Sequence, residues 1–240
     1  MPEKESNNIE IIDYFQKDKK RLGRIRSYFA GRARKRMFDR FIALANPKPT
    51  DLVLDLGVTP DCSFPDSNFF EKLYPYTDKI TMGSIEDASK LEEVFKGAKF
   101  VRIIPNKALP FDDKQFDILF CSAVLEHVGD YEWQIFFVQE CLRVAKKIYL
   151  TTPNRWFPIE FHTYLPLFHW LPQQLHQRIL KMLGMEFWAK TENLNLLSVG
   201  ELHNIYNILC SIGCVCIKST IYKNRLFGWV SNLILYMEEK

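Results

Sequence analysis

Short apolar runs, each stopped by glycine, proline or a polar cluster, alternate along this chain with stretches whose hydrophobic positions recur every three or four residues. The runs at 52–56, 79–83, 99–104, 116–121 and 147–152 have the length of strands, and 52–56 suits one buried on both faces of a parallel sheet. Helical spacing begins with Leu22, Ile25, Phe29, Ala33, Met37, Phe41 and Leu44, one stripe of a long helix that ends before Asn46-Pro-Lys-Pro. Asp66-Ser-Asn predicts a cap for a short helix over 67–74. Ser84-Ile-Glu-Asp87 has the spacing of a capping box ahead of a Glu-rich helix. Further helices are predicted over 131–144 and 198–212, the second stopped by Gly213. Runs at 214–221 and 229–237, joined by a turn at Lys223-Asn-Arg, predict a closing hairpin. Strand–helix alternation implies right-handed crossovers and a ligand at the carboxyl edge of an α/β sheet. Five parallel strands and a hairpin make seven.

The connection at 153–197 does not fit that rhythm. It carries Trp156, Phe157, Phe161, Tyr164, Phe168, Trp170, Phe187 and Trp188 among prolines and three histidines. That is more chain and more aromatic surface than one crossover helix needs, so a helical lid insertion over the strand edges is expected. The domain plan is then a basic helical extension over 1–45 and one α/β domain over 46–240 that contains the insertion.

With 47% hydrophobic and 25% charged residues in 240, the chain reads as an ordinary soluble globular protein. Its net charge of +3 hides an asymmetry: 17–36 hold ten Lys or Arg against Asp18 alone, +9 locally, leaving −6 elsewhere. A basic face on a docked helix can simply be solvated. It can also meet an anionic substrate or acidic lipid headgroups, where each charge is worth about 1 kcal/mol near the surface. Peripheral membrane contact through 17–36 is therefore an open expectation. Nucleic acid is not expected, because no recognition motif accompanies the charges. Six cysteines in mostly apolar surroundings and an N-terminus unlike a signal peptide fit a reducing cytoplasm. Cys210, Cys214 and Cys216 lack ligand spacing, so no metal is expected there. No apolar run reaches the roughly 18 residues of a membrane span.

Asp55 interrupts the first strand run just before Gly57. A carboxylate is costly in a buried strand, and its place beside a glycine turn points to a binding site at the strand's end. Three ordered stretches now carry a resemblance: Val53-Leu-Asp-Leu-Gly57, Leu109-Pro-Phe-Asp-Asp-Lys-Gln-Phe-Asp-Ile-Leu-Phe120 and Ser122-Ala-Val-Leu-Glu-His-Val128. Together they resemble the class I S-adenosylmethionine-dependent methyltransferases, in particular the type 11 branch. Gly57-Val-Thr-Pro-Asp61 and Thr151-Thr-Pro-Asn-Arg-Trp-Phe-Pro158 look like a bacterial subgroup linked with surface glycans or their lipid carriers.

The resemblance implies a Rossmann-like three-layer sandwich with a mostly parallel sheet in the order 3-2-1-4-5-7-6. It implies S-adenosylmethionine as cofactor and methyl transfer to a small molecule, a saccharide or a lipid-linked acceptor. Asp55 and Gly57 would meet the methionine end of the cofactor, with Thr59 and Asp61 beside them. Glu86 is the candidate for the ribose hydroxyls, since a carboxylate accepts two donors, or it is a first-turn helix carboxylate. Asn106 and Leu109 would frame the adenine, and Ser122 and Leu125 the cofactor's other side. His127 is the first candidate for a catalytic base, with His162 second; a loop-holding hydrogen bond is the other reading of His127. Arg155, Trp156 and Trp170 are candidates for holding an acceptor that is partly apolar or a sugar ring. Val58 and Pro60 replace the small residues usual in the turn, and proline fixes φ and removes a donor. That departure keeps open a second reading, a non-catalytic methyltransferase-like binding or scaffold module.

Overall fold

The computed structural model describes residues 20–62, 67–213 and 217–239, with side chains from residue 31 onward except that of 217. A seven-stranded sheet in the order β3-β2-β1-β4-β5-β7-β6 organises it. The strands are β1 (Val53–Leu56), β2 (Ile80–Ser84), β3 (Lys99–Arg102), β4 (Phe116–Ser122), β5 (Ala145–Pro153), β6 (Ile217–Leu226) and β7 (Trp229–Glu239). β1 to β5 pair in parallel, and β7 runs antiparallel to both β5 and β6. Every residue of β1 is buried, as expected of a central strand covered on both faces.

Among the described residues there are six α-helices: α1 (Lys20–Ala45), α2 (Phe69–Leu73), α3 (Leu91–Val94), α4 (Tyr131–Val144), α5 (Gln173–Met182), which lies in the insertion, and α6 (Val199–Ser211). Val138, Cys141 and Leu142 of α4 and Leu202, Ile205 and Leu209 of α6 form one apolar layer with Leu54, Leu119 and Ile148. On the opposite face Phe41 of α1, Phe70 of α2 and Leu91 of α3 pack with Val53, Ile80 and Phe120. Thus the molecule is a three-layer sandwich. The helix starts follow local chemistry. Asp130 caps α4 by accepting from the backbone N–H groups of Glu132 and Trp133, and Ser198 with Glu201 closes a full capping box on α6.

α1 is locked to the sheet by more than its apolar stripe. Phe41 meets Phe70, Phe120 and Tyr149 edge to face, with ring centroids 5.2–5.5 Å apart. Lys147 Nζ donates to the Ala45 carbonyl at 2.7 Å and Tyr236 Oη to the Leu44 carbonyl at 3.2 Å. These cover helix C-terminal carbonyls that have no partner within the helix, and the ammonium also suits the negative end of the dipole. Part of the basic face is likewise engaged: Arg40 stacks over Tyr222 and Arg36 donates to the Arg225 carbonyl.

Three expectations need correction. Ser84 is the last residue of β2, so its capping box does not form, and α3 is a single turn beginning at Leu91. Lys223, Asn224 and Arg225 lie within β6, and the hairpin turns instead at Phe227 and Gly228 with φ of 51° and 82°. Both residues occupy the left-handed region that a two-residue hairpin turn requires. Asn68 does not cap α2 through its side chain, while Asp66, Cys214, Cys216 and residues 17–19 lie outside the described residues. Among the described residues no helix is long and apolar enough to cross a membrane.

Phe41 has no exposed surface and touches both α2 and the sheet. Phe41→Ala should lower stability by about 3–5 kcal/mol in urea unfolding. A loss under about 1 kcal/mol would show that α1 is not part of the folding core.

Candidate active site

At the carboxyl end of β1 the backbone turns at Gly57, with φ of 100°. Its N–H donates to the Gly83 carbonyl at 2.8 Å, continuing the β1–β2 ladder by one bond. A Cβ placed there would stand 2.2 Å from Val124 Cγ2, so both the torsion and the close approach require glycine. Beyond it, Asn68 grips Thr59 twice: Oδ1 accepts from the Thr59 N–H at 3.0 Å, and Nδ2 donates to the Thr59 carbonyl at 2.9 Å. This clamp sets the path of the proline-bearing loop. Val58 is turned into the core and Pro60 is exposed, so neither closes the cleft above Gly57.

Asp55 lies beside Glu71 of α2, and both are nearly inaccessible, at 6% and 2% exposure. Burial raises the Asp55 carboxyl well above its ordinary value, and the neighbouring Glu71 charge raises it further. Burial raises Glu71 as well, opposed by a hydrogen bond with Asp55 and by the charge of Lys72. Two desolvated acids side by side disfavour a double negative charge and favour a shared proton or a bound cation.

A cavity of about 1040 Å³ runs from this pair across the strand ends. Asp55, Gly57, Thr59, Glu86, Asn106 and Leu109 line one end, and Ser122 lies in its wall. His127 and His162 line it further along, with Phe157, Phe161 and Tyr164 from the insertion. Glu86 is partly buried there, which raises its carboxyl. Ser122 is tied to Thr151 of β5 at 2.9 Å, and Ala123 follows with φ of 58°, a sharp bend that sends the chain back toward the cavity. Leu125 is in the apolar core at 1% exposure, and Asp61 is exposed outside the cavity wall. Arg155, Trp156 and Trp170 do not line the cavity either. Arg155 and Trp170 both lie close to Trp156, and Arg155 borders a separate small pocket with His169 and His176.

The second buried polar group follows β4. His127 Nδ1 lies 2.6 Å from the Asn193 carbonyl, and His127 Nε2 faces His162 Nε2 at 3.1 Å. His162 Nδ1 is 2.6 Å from Glu160 Oε1, and the Glu160 carboxylate also accepts from the His162 and Thr163 N–H groups. Glu126 is fully buried; its Oε2 accepts from the Thr152 hydroxyl at 2.9 Å. Burial pushes the Glu126 carboxyl up to about 7. Burial, then the charge of His162, brings His127 down to about 3. Burial alone would raise Glu160, but its hydrogen bonds and the His162 charge outweigh that and hold it at about 2. Burial would lower His162, yet the hydrogen bond and charge of Glu160 raise it.

Three comparisons bear on this geometry. A methyltransferase domain family model matches residues 82–148, from β2 through β4 to β5. The ubiquinone biosynthesis O-methyltransferase of Coxiella burnetii is 28% identical over 97 residues, 38% of this chain and 42% of that protein. Magnesium protoporphyrin IX methyltransferase from Synechocystis PCC 6803, solved with bound SAH, superposes with a TM-score of 0.55 at 14% identity, over 95% of this chain and 91% of that one. A Rhodobacter sphaeroides chain described as a Zn-dependent alcohol dehydrogenase gives 0.59 at 7% identity, over 85% and 90%. Global likeness at such identities shows only the shared layout. The family match over residues 82–148 is the finding that points to methyl transfer.

Residues 82–148 thus match the methyltransferase domain family, within a sheet laid out as in the class I methyltransferases. The chain spans less than half the length of the curated relative. For a class I methyltransferase the cofactor is S-adenosylmethionine, and the residues at the β1 rim fit it: Gly57, at positive φ, lines the cavity with the buried acids Asp55 and Glu71 beside it. Glu71, Glu126 and Glu160 were not singled out from sequence. The available signals were an acid inside the apolar Phe69-Phe70-Glu71 run and the Glu160-x-His162 spacing.

The acid pair sets a pH dependence. A carboxyl raised in the folded state contributes stability that is complete below its unfolded pKa, near 4, and is lost as pH rises through the folded value. Glu71→Gln removes one of the two groups. Its melting temperature should exceed the parent's at pH 8, with the gain vanishing at pH 4; a pH-independent difference would contradict a raised acid pair.

Proposed function

We propose that this protein transfers a methyl group from S-adenosylmethionine to an oxygen of a partly apolar small molecule, saccharide or lipid-linked acceptor. The observation that carries the proposal is the single cavity joining the β1 rim to the histidine end and the aromatic insertion. The cofactor supplies a methyl carbon already activated by its sulfonium, so alignment of the acceptor is the main demand on the protein. The Asp55–Glu71 pair offers the cation receptor for the cofactor's ammonium group. Glu86 is positioned to accept from ribose hydroxyls. Phe157, Phe161 and Tyr164 wall the other end against water, as a methyl donor exposed to a competing nucleophile requires.

An oxygen acceptor agrees with the O-methyltransferase named among the relatives. An apolar or lipid-linked one agrees with the part of the cavity wall supplied by Ala33, Arg34 and Met37 of α1 and by Leu226 and Phe227 at the tip of the β6–β7 hairpin. Phe227 is 71% exposed and Trp229 55%, apolar surface next to a basic helix. This pairing would suit an acceptor held at a membrane surface through an anionic headgroup.

Titration calorimetry with S-adenosylmethionine and S-adenosylhomocysteine tests the cofactor half. Binding of S-adenosylhomocysteine should release protons as its ammonium replaces the proton held by the acid pair, so the apparent enthalpy should vary with the ionisation enthalpy of the buffer at pH 7. Gly57→Ala should abolish binding, because the added methyl meets Val124. No heat with either nucleoside at millimolar concentration, or undiminished affinity in the Gly57 variant, would overturn the proposal.

A further inference from the structure

His127 and His162 are each held by the ring nitrogen that does not face the other. The Asn193 carbonyl can only accept, so His127 Nδ1 carries the proton and a neutral ring turns its Nε2 lone pair inward. The Glu160 carboxylate fixes His162 Nδ1 in the same way. The result is two Nε2 atoms facing each other at 3.1 Å, an arrangement that needs a proton or a cation between them. A third donor stands beside them. Glu126 Oε1 is fully buried, has no hydrogen-bond partner among the described residues, and lies 3.9 Å from His127 Nε2.

We propose that Glu126, His127 and His162 form a divalent transition-metal site, of the Zn²⁺ or Mn²⁺ class, at the acceptor end of the cavity. A proton shared by the two rings would satisfy them and leave Glu126 Oε1 bare; one cation satisfies all three. The donor atoms lie within 4.8 Å of one another. Nitrogens held about 2.0–2.1 Å from one ion stand roughly 3 Å apart, which is the spacing of the two rings, and the carboxylate needs only a small inward shift. Two imidazoles and one carboxylate favour a first-row transition ion over Mg²⁺ or Ca²⁺.

The supporting contacts match what a metal site requires. A carboxylate behind one ring and a carbonyl behind the other fix the tautomers, and Thr152 orients the ligating acid. His127 and His162 line the cavity whereas Glu126 does not, so the open coordination positions face the acceptor space. There an acceptor oxygen completes the coordination and becomes more acidic. This role rests on the methyl-transfer reading above; metal binding itself does not.

The test uses untagged protein, stripped with EDTA and titrated with ZnCl₂ or MnCl₂ by calorimetry, and with Co²⁺ followed by visible absorption. One equivalent should bind, with ligand-field bands for Co²⁺. His127→Ala and His162→Ala should abolish binding, Glu126→Gln should weaken it at least tenfold, and Glu160→Gln should weaken it roughly 10–100-fold. His176→Ala, in the other histidine pair, should bind as the parent does. Near-UV circular dichroism checks each fold, and if the alanine variants are misfolded the Glu126 and Glu160 variants carry the decision. No stoichiometric binding, or binding unchanged in Glu126→Gln or His162→Ala, would overturn the site. S-adenosylhomocysteine titrated in EDTA keeps the proposals apart: its binding should persist without metal, and its failure beside intact metal binding would remove the cofactor reading alone.

Discussion

The winding of the sheet reverses between β1 and β4: the chain leaves β1 toward β2 and β3, and leaves β4 toward β5, so neighbouring strands send their connections to opposite sides. A crevice must open where the two paths part. Here the register pairs Leu56 with Cys121, which puts Gly57 and Ser122 next to each other at the strand ends. Glycine at the first position and the bend at Ala123 after the second let two loops diverge without filling the space between them. The two buried polar groups flank this gap, and neither would have a function without it.

Both groups are expensive for the folded chain. A desolvated acid costs free energy that apolar residues of similar volume would not, and the protein buries such groups at Asp55, Glu71 and Glu126. Elsewhere it pairs its acids carefully: Glu140 takes a two-pronged contact from Arg143, and Asp117 accepts from Lys146 and from the Leu52 N–H. The contrast is local and falls on the cavity. Strongly shifted acids and imidazoles gathered along one cleft are the usual physical mark of a site that handles charge.

Much of the scaffold was legible because it depends on local pattern. Short apolar runs gave β1 to β5, and periodic spacing placed α4 at Tyr131–Val144. The errors arose where a local signal competed with another. A polar Lys-Asn-Arg triplet looked more like a turn than Phe227-Gly228, yet the hairpin needs positive φ rather than polarity. Ser84 had the spacing of a cap but was consumed by β2. The rim of the candidate site was readable from Asp55 and Gly57, since both break the run in which they sit. Glu71 and Glu160 were not, because what distinguishes them is the company that other segments bring. Arg155, Trp156 and Trp170 have the composition of a binding surface, but the cavity wall is made by Phe157, Phe161 and His162 instead.

The insertion does more than roof the cavity. Its Asn195 N–H donates to the Glu126 carbonyl, its Asn193 carbonyl holds the His127 ring, and Gln134 of α4 bonds to both Leu125 and Asn195. The backbone of 193–195 therefore serves as a splint for the turn that bears Glu126 and His127. Any displacement of that splint to admit a bulky molecule would pull the donor atoms out of alignment, so entry by way of the 193–195 edge and an assembled cluster are mutually exclusive.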